Sequence, residues 1–421
     1  MDTTLISGTM AKDPMPGKVA GDHTVRMNQE KVNTGEIARQ HDLDALTGVR
    51  FFAALAVFTA HFFTYELWVS RSSQALSSIR NGFTMSVYVF FILSGFILTI
   101  AYERMESHKP DWNARKKFWI ARFARMYPVY LLAFLWFAPF ILHHRFLTEP
   151  TGLAARKSAA SGLAAIFLVQ SWISDRFAAS WNGPSWTLSM ETGFYLAFPW
   201  LLRGVMRLGT VALVLSATVL CLLAGWLLCE PNLFANHLRN PIAGMPVFVL
   251  GILAARLYQR WHSLPQARIA RVFPVPAVLY ILSITAGWIP YRGILPNTLL
   301  ILCMVCLIYG LASQAWPSRW LSRPTMMLLG EASYSFYVLQ FPVYFTVLWV
   351  WLRFSTRDLL TVTAADSIPQ RHWWGFVMLL LINQTVALLA FLYIERPLRV
   401  SLRKRLGAYF VKEPLKKPAV F

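Results

Sequence analysis

An arginine and a histidine stand eleven residues apart in the apolar stretch TGVRFFAALAVFTAHFF, residues 47–63. Ionisable groups inside a membrane are costly and tend to be kept for function. At 100° per residue, Arg50 and His61 fall within about 20° of one helix face, about 16 Å apart along the axis. One face would then carry a cation at the inner mouth of a span and a titratable imidazole past its middle. A neutral imidazole can take the proton of an attacking hydroxyl. A plainer arrangement fits too, with Arg50 snorkelling to the headgroups and His61 hydrogen-bonded to a neighbouring helix. Spacing alone leaves both open.

Glu191, in PSWTLSMETGFYLAFPW, adds a carboxylate in another apolar stretch. If that stretch enters from the outer side near Pro184, Glu191 lies about 10 Å deep, level with His61. The expectation is a buried pair in which Glu191 accepts one ring N–H and leaves the other nitrogen as a base. Arg122 and Arg125, in ARFARMYP, share a helix face at the expected cytoplasmic mouth. Two guanidinium forks there suit a pyrophosphate or a 3′-phosphate. Ordinary positive-inside charge would place arginines there as well. Ser94, in FFILSGFIL, and Tyr334, Tyr337 and Gln340, in GEASYSFYVLQFP, are mid-membrane polar groups, each able to make an interhelical hydrogen bond. Glu395, in YIERPLR, is expected to pair with an arginine. His143–His144 is weak evidence for a metal. No zinc spacing, Walker motif, G-x-G-x-x-G fingerprint or G-x-S-x-G elbow is present, and no metal is expected.

The elements that must hold these residues follow from composition. Of 421 residues, 56% are apolar and 14% charged, and runs of about 20 apolar residues recur along the chain. The fold class expected is all-α: a polytopic integral membrane protein of about ten transmembrane helices enclosing a buried polar cavity. The expected spans are 50–69, 83–102, 127–142, 184–202, 209–228, 241–258, 274–290, 296–314, 328–352 and 373–394. The stretch 161–173 is short for a crossing and is read as an interfacial or re-entrant element on the outer side. With both termini inside, the inner segments hold 29 of the 40 Lys and Arg, as the positive-inside rule requires. The net charge of +20 is therefore assigned to cytoplasmic loops and not to nucleic-acid binding. Arg115, Lys116 and Lys117 are read as a solvated, headgroup-facing stretch. Residues 1–42 lack an apolar h-region and read as a disordered cytoplasmic tail, 43–400 as the membrane domain, and 401–421 as a basic cytoplasmic tail. Cys221, Cys229, Cys303 and Cys306 imply no disulfide framework, and Cys303-x-x-Cys306 reads as helix packing.

Six stretches in order, LTGVRFFAALAVFTAH, VFFILSGFIL, RFARMYPVYLL, WNGPSWTLSMETGFYL, LGEASYSFYVLQFPV and YIERPL, resemble the membrane acyltransferase family 3. Its members O-acylate sugars of O-antigen, exopolysaccharide, peptidoglycan and Nod factors, and some macrolides. The resemblance covers about residues 43–400. It places the family's arginine–ten residues–histidine motif on Arg50 and His61, its R-x-x-R on Arg122 and Arg125, and its tryptophan-to-glutamate motif on Trp186 and Glu191. Many relatives carry histidine where this chain has Gln340, so no catalytic role is assigned there.

What the resemblance implies is an O-acyltransferase in the bacterial inner membrane. The donor would be cytoplasmic acyl-CoA, acetyl-CoA above all, with no permanently bound cofactor. The acceptor would be a carbohydrate or other hydroxyl compound, and the remaining partner the lipid bilayer. His61, Arg50 and Glu191 are the expected catalytic residues, Arg122 and Arg125 bind the donor, and Trp186, Ser94 and Tyr337 contact substrate. A proton-coupled secondary transporter or flippase is the competing class, and a non-catalytic export subunit is a third.

Overall fold

The computed structural model describes residues 44–62, 82–106, 111–142, 159–178, 180–229, 241–261, 271–289, 293–314, 317–354 and 373–411. The expected tail 1–42, the end of the first span at 63–69, His143 and His144, and residues 412–421 lie outside them. The described residues are helical: α1 (Asp44–Phe62), α2 (Val87–Glu106), α3 (Trp112–Leu142), the short α4 (Ala159–Ile166), α5 (Gln170–Ile173) and α6 (Asp175–Ala178), then α7 (Trp186–Met206), α8 (Thr210–Leu227), α9 (Pro241–Trp261), α10 (Pro274–Thr285), α11 (Ile294–Ala312), α12 (Ser318–Leu321), α13 (Pro324–Phe354), α14 (Trp373–Ala390) and α15 (Arg396–Phe410). A five-residue π-helix, Phe391–Glu395, joins the last two. Seven helices among the described residues are long and apolar enough to cross a membrane: α1, the 82–103 segment containing most of α2, α3, α8, α9, α11 and the continuous 374–410 helix. The chain is thus a multi-pass membrane protein.

Glycines let the inner helices touch backbone to backbone. Gly95 of α2 lies against the Phe248 carbonyl of α9, and Gly251 of α9 against the Ile92 carbonyl of α2, so a Cβ at either would collide with main chain. Small residues allow this close packing where lipid supplies no hydrophobic drive between helices. Glu103 clasps the same pair, 3.1 Å from Arg256 and accepting from Gln259 at 2.8 Å. Gly48 against Leu321 and Gly330 against Thr47 bring α1 onto α12 and α13 in the same way.

Prolines supply a second device. Each removes the N–H that would bond the carbonyl four residues earlier. Pro342 leaves the Val338 carbonyl of α13 unpaired along its own helix, and Asn182 Nδ2 donates to it at 2.9 Å. Pro199 likewise frees the Tyr195 carbonyl of α7, which accepts from Trp119 Nε1 of α3 at 3.0 Å. Two breaks that would cost a helix alone become joints between helices.

The stretch 161–173 is not one helix. Leu168 adopts a left-handed φ of 57° and the chain breaks between α4 and α5. Tyr127 and Tyr130, midway along α3, donate to the carbonyls of Ile166 and Ala165 at 3.2 and 2.6 Å. Trp181 packs at a tilt against Phe134, centroids 4.9 Å apart, and its indole donates to Ser161 at 3.1 Å. Trp172 fits the notch left by Gly193 of α7, where any Cβ would strike its ring.

Candidate functional site

One face of α13 grades the site. Gly330, Ser333, Tyr334, Tyr337 and Gln340 recur every three or four residues and so share a helix side. Gly330 meets Thr47, three residues before Arg50. Tyr334 donates its hydroxyl to the Met126 carbonyl, next to Arg125. Tyr337 receives the Thr187 hydroxyl at 3.1 Å, and Gln340 reaches His61 at 3.1 Å. Helix α1 runs parallel to this ruler, with Arg50 low and His61 high, as the eleven-residue spacing requires.

A pocket of about 50 Å³ lies between α1, α2, α3, α7 and α13, room for a few waters. Arg50, Arg122 and Arg125 all line it, facing the carboxylate Glu191. Three positive charges against one negative, at the end of a low-dielectric slot, favour an anion. Arg122 is aimed by its surroundings: Nη2 donates to Tyr102 at 3.3 Å, and its guanidinium lies over the Tyr102 ring, 5.6 Å from the centroid. Its Nε is buried with no hydrogen bond. Among the described residues, no protein group hydrogen-bonds the side chains of Arg50 or Arg125, whose donors are spare.

Glu191 does not meet His61. Its Oε2 accepts from Tyr195 at 3.0 Å and its Oε1 from Ser94 at 3.4 Å, and it interacts electrostatically with Arg50 and Arg125. The expectation of a shared level fails because the first turn of α7 meets α13 at Tyr337, through Thr187, and Glu191 lies one turn further along α7, on the side away from Gln340. Thr187 to Glu191 and Tyr337 to Gln340 together put about 10 Å of axial distance between carboxylate and imidazole. Glu191 belongs to the arginine end.

His61 is held elsewhere. Its Nδ1 lies 3.1 Å from Gln340 Oε1, and Gln340 donates Nε2 to the Tyr337 carbonyl at 2.8 Å. The ring stands edge-on to Phe341 at 5.2 Å and to Phe62 at 6.1 Å. Ser94 and Tyr337 both line the pocket. Trp186 stands outside it, its side chain buried at the start of α7 and its carbonyl accepting from Ser171 at 2.9 Å.

Three positions read differently in three dimensions. Glu395 accepts from Ser335 at 2.7 Å and, among the described residues, makes no ion pair with an arginine; the π-helix turns it inward, where it is 1% exposed. Arg115 is buried between the Trp112 and Trp200 rings, 5.7 and 5.3 Å from their centroids, because its aromatic neighbours shield the cation. It is not a headgroup-facing charge. Tyr195, the main support of Glu191, escaped the sequence reading. Its position four residues after a buried carboxylate was the available signal. The four cysteines are free thiols.

Comparison with known proteins agrees with this architecture. A family described as an acyltransferase domain, the acyltransferase 3 family, matches residues 43–392. Acyltransferase MdmB of Streptomyces mycarofaciens is 31% identical over 327 residues, which is 72% of this chain and 79% of that protein. No solved structure matches. A match across nearly the whole membrane region, carrying both ends of the site, makes this chain an acyl-transferring enzyme and a member of the acyltransferase 3 family.

Proposed function

We propose that the enzyme moves an acyl group, acetyl in the first instance, from cytoplasmic acyl-CoA to a sugar hydroxyl of a surface or exported polysaccharide. The observation that carries this is the convergence of Arg50, Arg122 and Arg125 on one pocket; His61 and Gln340 stand outside its lining, joined to it by the hydrogen bond from Gln340 to the carbonyl of the pocket residue Tyr337. Phosphate oxygens would take the donors that Arg50 and Arg125 leave spare and that Arg122 offers beside Tyr102. The pantetheine arm is the part of the donor that bridges from there to the imidazole. His61 takes the proton of the acceptor hydroxyl as its oxygen attacks the thioester carbonyl. The C–S bond then breaks, and the imidazolium returns the proton to the departing thiolate. General-base assistance of this kind is worth about 10²–10⁴ in rate, and holding donor and acceptor together supplies much of the rest.

Glu191 serves the arginines in this scheme. Braced by Tyr195 and Ser94, it spaces the guanidiniums while no anion is bound. Helices α7, α10 and α13 complete ten crossings, with both termini in the cytoplasm of an inner membrane.

The test is transfer from labelled acetyl-CoA in washed membranes, with mass spectrometry of glycan esters in cells lacking the enzyme. Label in a base-labile ester, and ester loss on deletion, is the expected result. Proton-coupled uptake without label transfer would replace this reading with a transporter.

A further inference from the structure

We propose that Gln340 is a positioning residue that fixes the tautomer of His61 and so decides which ring nitrogen receives the acceptor proton. The inference rests on His61 as the base. It begins with an amide whose orientation is not free. Gln340 is fully buried, and 2.8 Å from its Nε2 lies the Tyr337 carbonyl. A carbonyl only accepts, so the NH₂ end must face Tyr337. The amide oxygen therefore faces His61, 3.1 Å from Nδ1. That oxygen also only accepts, so Nδ1 must carry the hydrogen. A neutral imidazole has one N–H, which leaves the lone pair on Nε2.

The assignments run from a backbone carbonyl to Nδ1, and in the neutral ring Nε2 is then the basic nitrogen. The rings of Phe341 and Phe62, edge-on at interplanar angles of 83° and 74°, restrict the ring flip that would take Nδ1 away from Gln340 and put Cδ2 in its place. When Nε2 takes the acceptor proton, Nδ1–H keeps its bond to Gln340, so the imidazolium forms without a change of partner. When Nε2 passes that proton to the thiolate, the starting tautomer returns. A neutral amide does what a carboxylate does in a serine-hydrolase triad, setting the tautomer, but adds no counter-charge.

The experiment reads the tautomer apart from activity. Full-length protein labelled with ¹⁵N-histidine is placed in nanodiscs, and the His61 signals are identified by their loss in His61→Ala. Wild type is expected to show a protonated Nδ1 and an unprotonated Nε2. Protonation at Nε2 in the wild type would overturn the assignment. Gln340→Met keeps the length of the side chain but offers His61 no comparable acceptor. It should scramble the tautomer and lower kcat about 10- to 100-fold with the acyl-CoA KM within about twofold. Gln340→Glu, which restores an acceptor oxygen, should recover kcat to within about threefold of wild type. Loss of activity in Gln340→Met with an unchanged tautomer sinks the inference. A changed tautomer with unchanged kcat upholds the Gln340 assignment and fails His61 as the base.

Discussion

At the Arg50 end of the site, three guanidiniums face one carboxylate, and among the described residues they make one side-chain hydrogen bond, from Arg122 to Tyr102. At the His61 end a single ring is gripped by an amide that is itself anchored to the main chain, with an aromatic edge on either side. Spare donors suit a group that arrives and leaves, since binding makes new bonds without first breaking old ones. A fixed ring suits a group that must present one lone pair at one angle. In the proposed mechanism the contrast separates an end suited to holding an anion from an end suited to moving a proton, about 16 Å apart along α1.

The largest effect should come from the proton-moving end. His61→Ala should cut kcat by about 10²–10⁴ with the protein still in the membrane. Retained turnover would show that the gripped ring is structural. Next comes the other end. Arg122→Ala with Arg125→Ala should raise the acyl-CoA KM about 10- to 100-fold, each charged hydrogen bond being worth about 1.5–3 kcal/mol, and should leave the acceptor KM in place. An unmoved donor KM would erase the difference between the ends. Glu191 sharpens the division. Tyr195→Phe removes its best hydrogen bond and should weaken donor affinity about two- to tenfold, with kcat nearly constant. A fall in kcat alone would tie the carboxylate back to His61.

A control on the frame follows. Gly193→Val drives a side chain into the Trp172 indole and should cost about 1–3 kcal/mol of stability, read as a lower Tm in detergent. The site should lose activity only in proportion. The smallest effect belongs to Leu215, 60% exposed on α8, a helix that contributes no residue to the pocket lining. Leu215→Ala should change neither Tm nor rate measurably.

Much of this was legible in the residues. Apolar runs of membrane length, the Arg50–His61 period and the R-x-x-R pair need only the helical repeat and the cost of burying charge. Tyr334, Tyr337 and Gln340 were visible only as separate mid-membrane polar groups; that they grade one face of α13 from the arginines to His61 came from their contacts. The family was readable from six ordered motifs, and the match over 43–392 bears it out. Among the described residues the seven helices that qualify as spans are fewer than the ten expected, α10 being too short to count among them.

By itself the sequence determined the periodicities along each helix and therefore which side chains share a face. Only the tertiary structure decided the level at which one helix meets another. Asn182 takes up a carbonyl that Pro342 frees, Thr187 seats the start of α7 beside Tyr337, and Glu191 falls among the arginines while Gln340 lies at His61. Axial register between helices 150 to 280 residues apart in the chain is set by side-chain fit and by orphaned backbone groups seeking partners, and no local pattern encodes that sum.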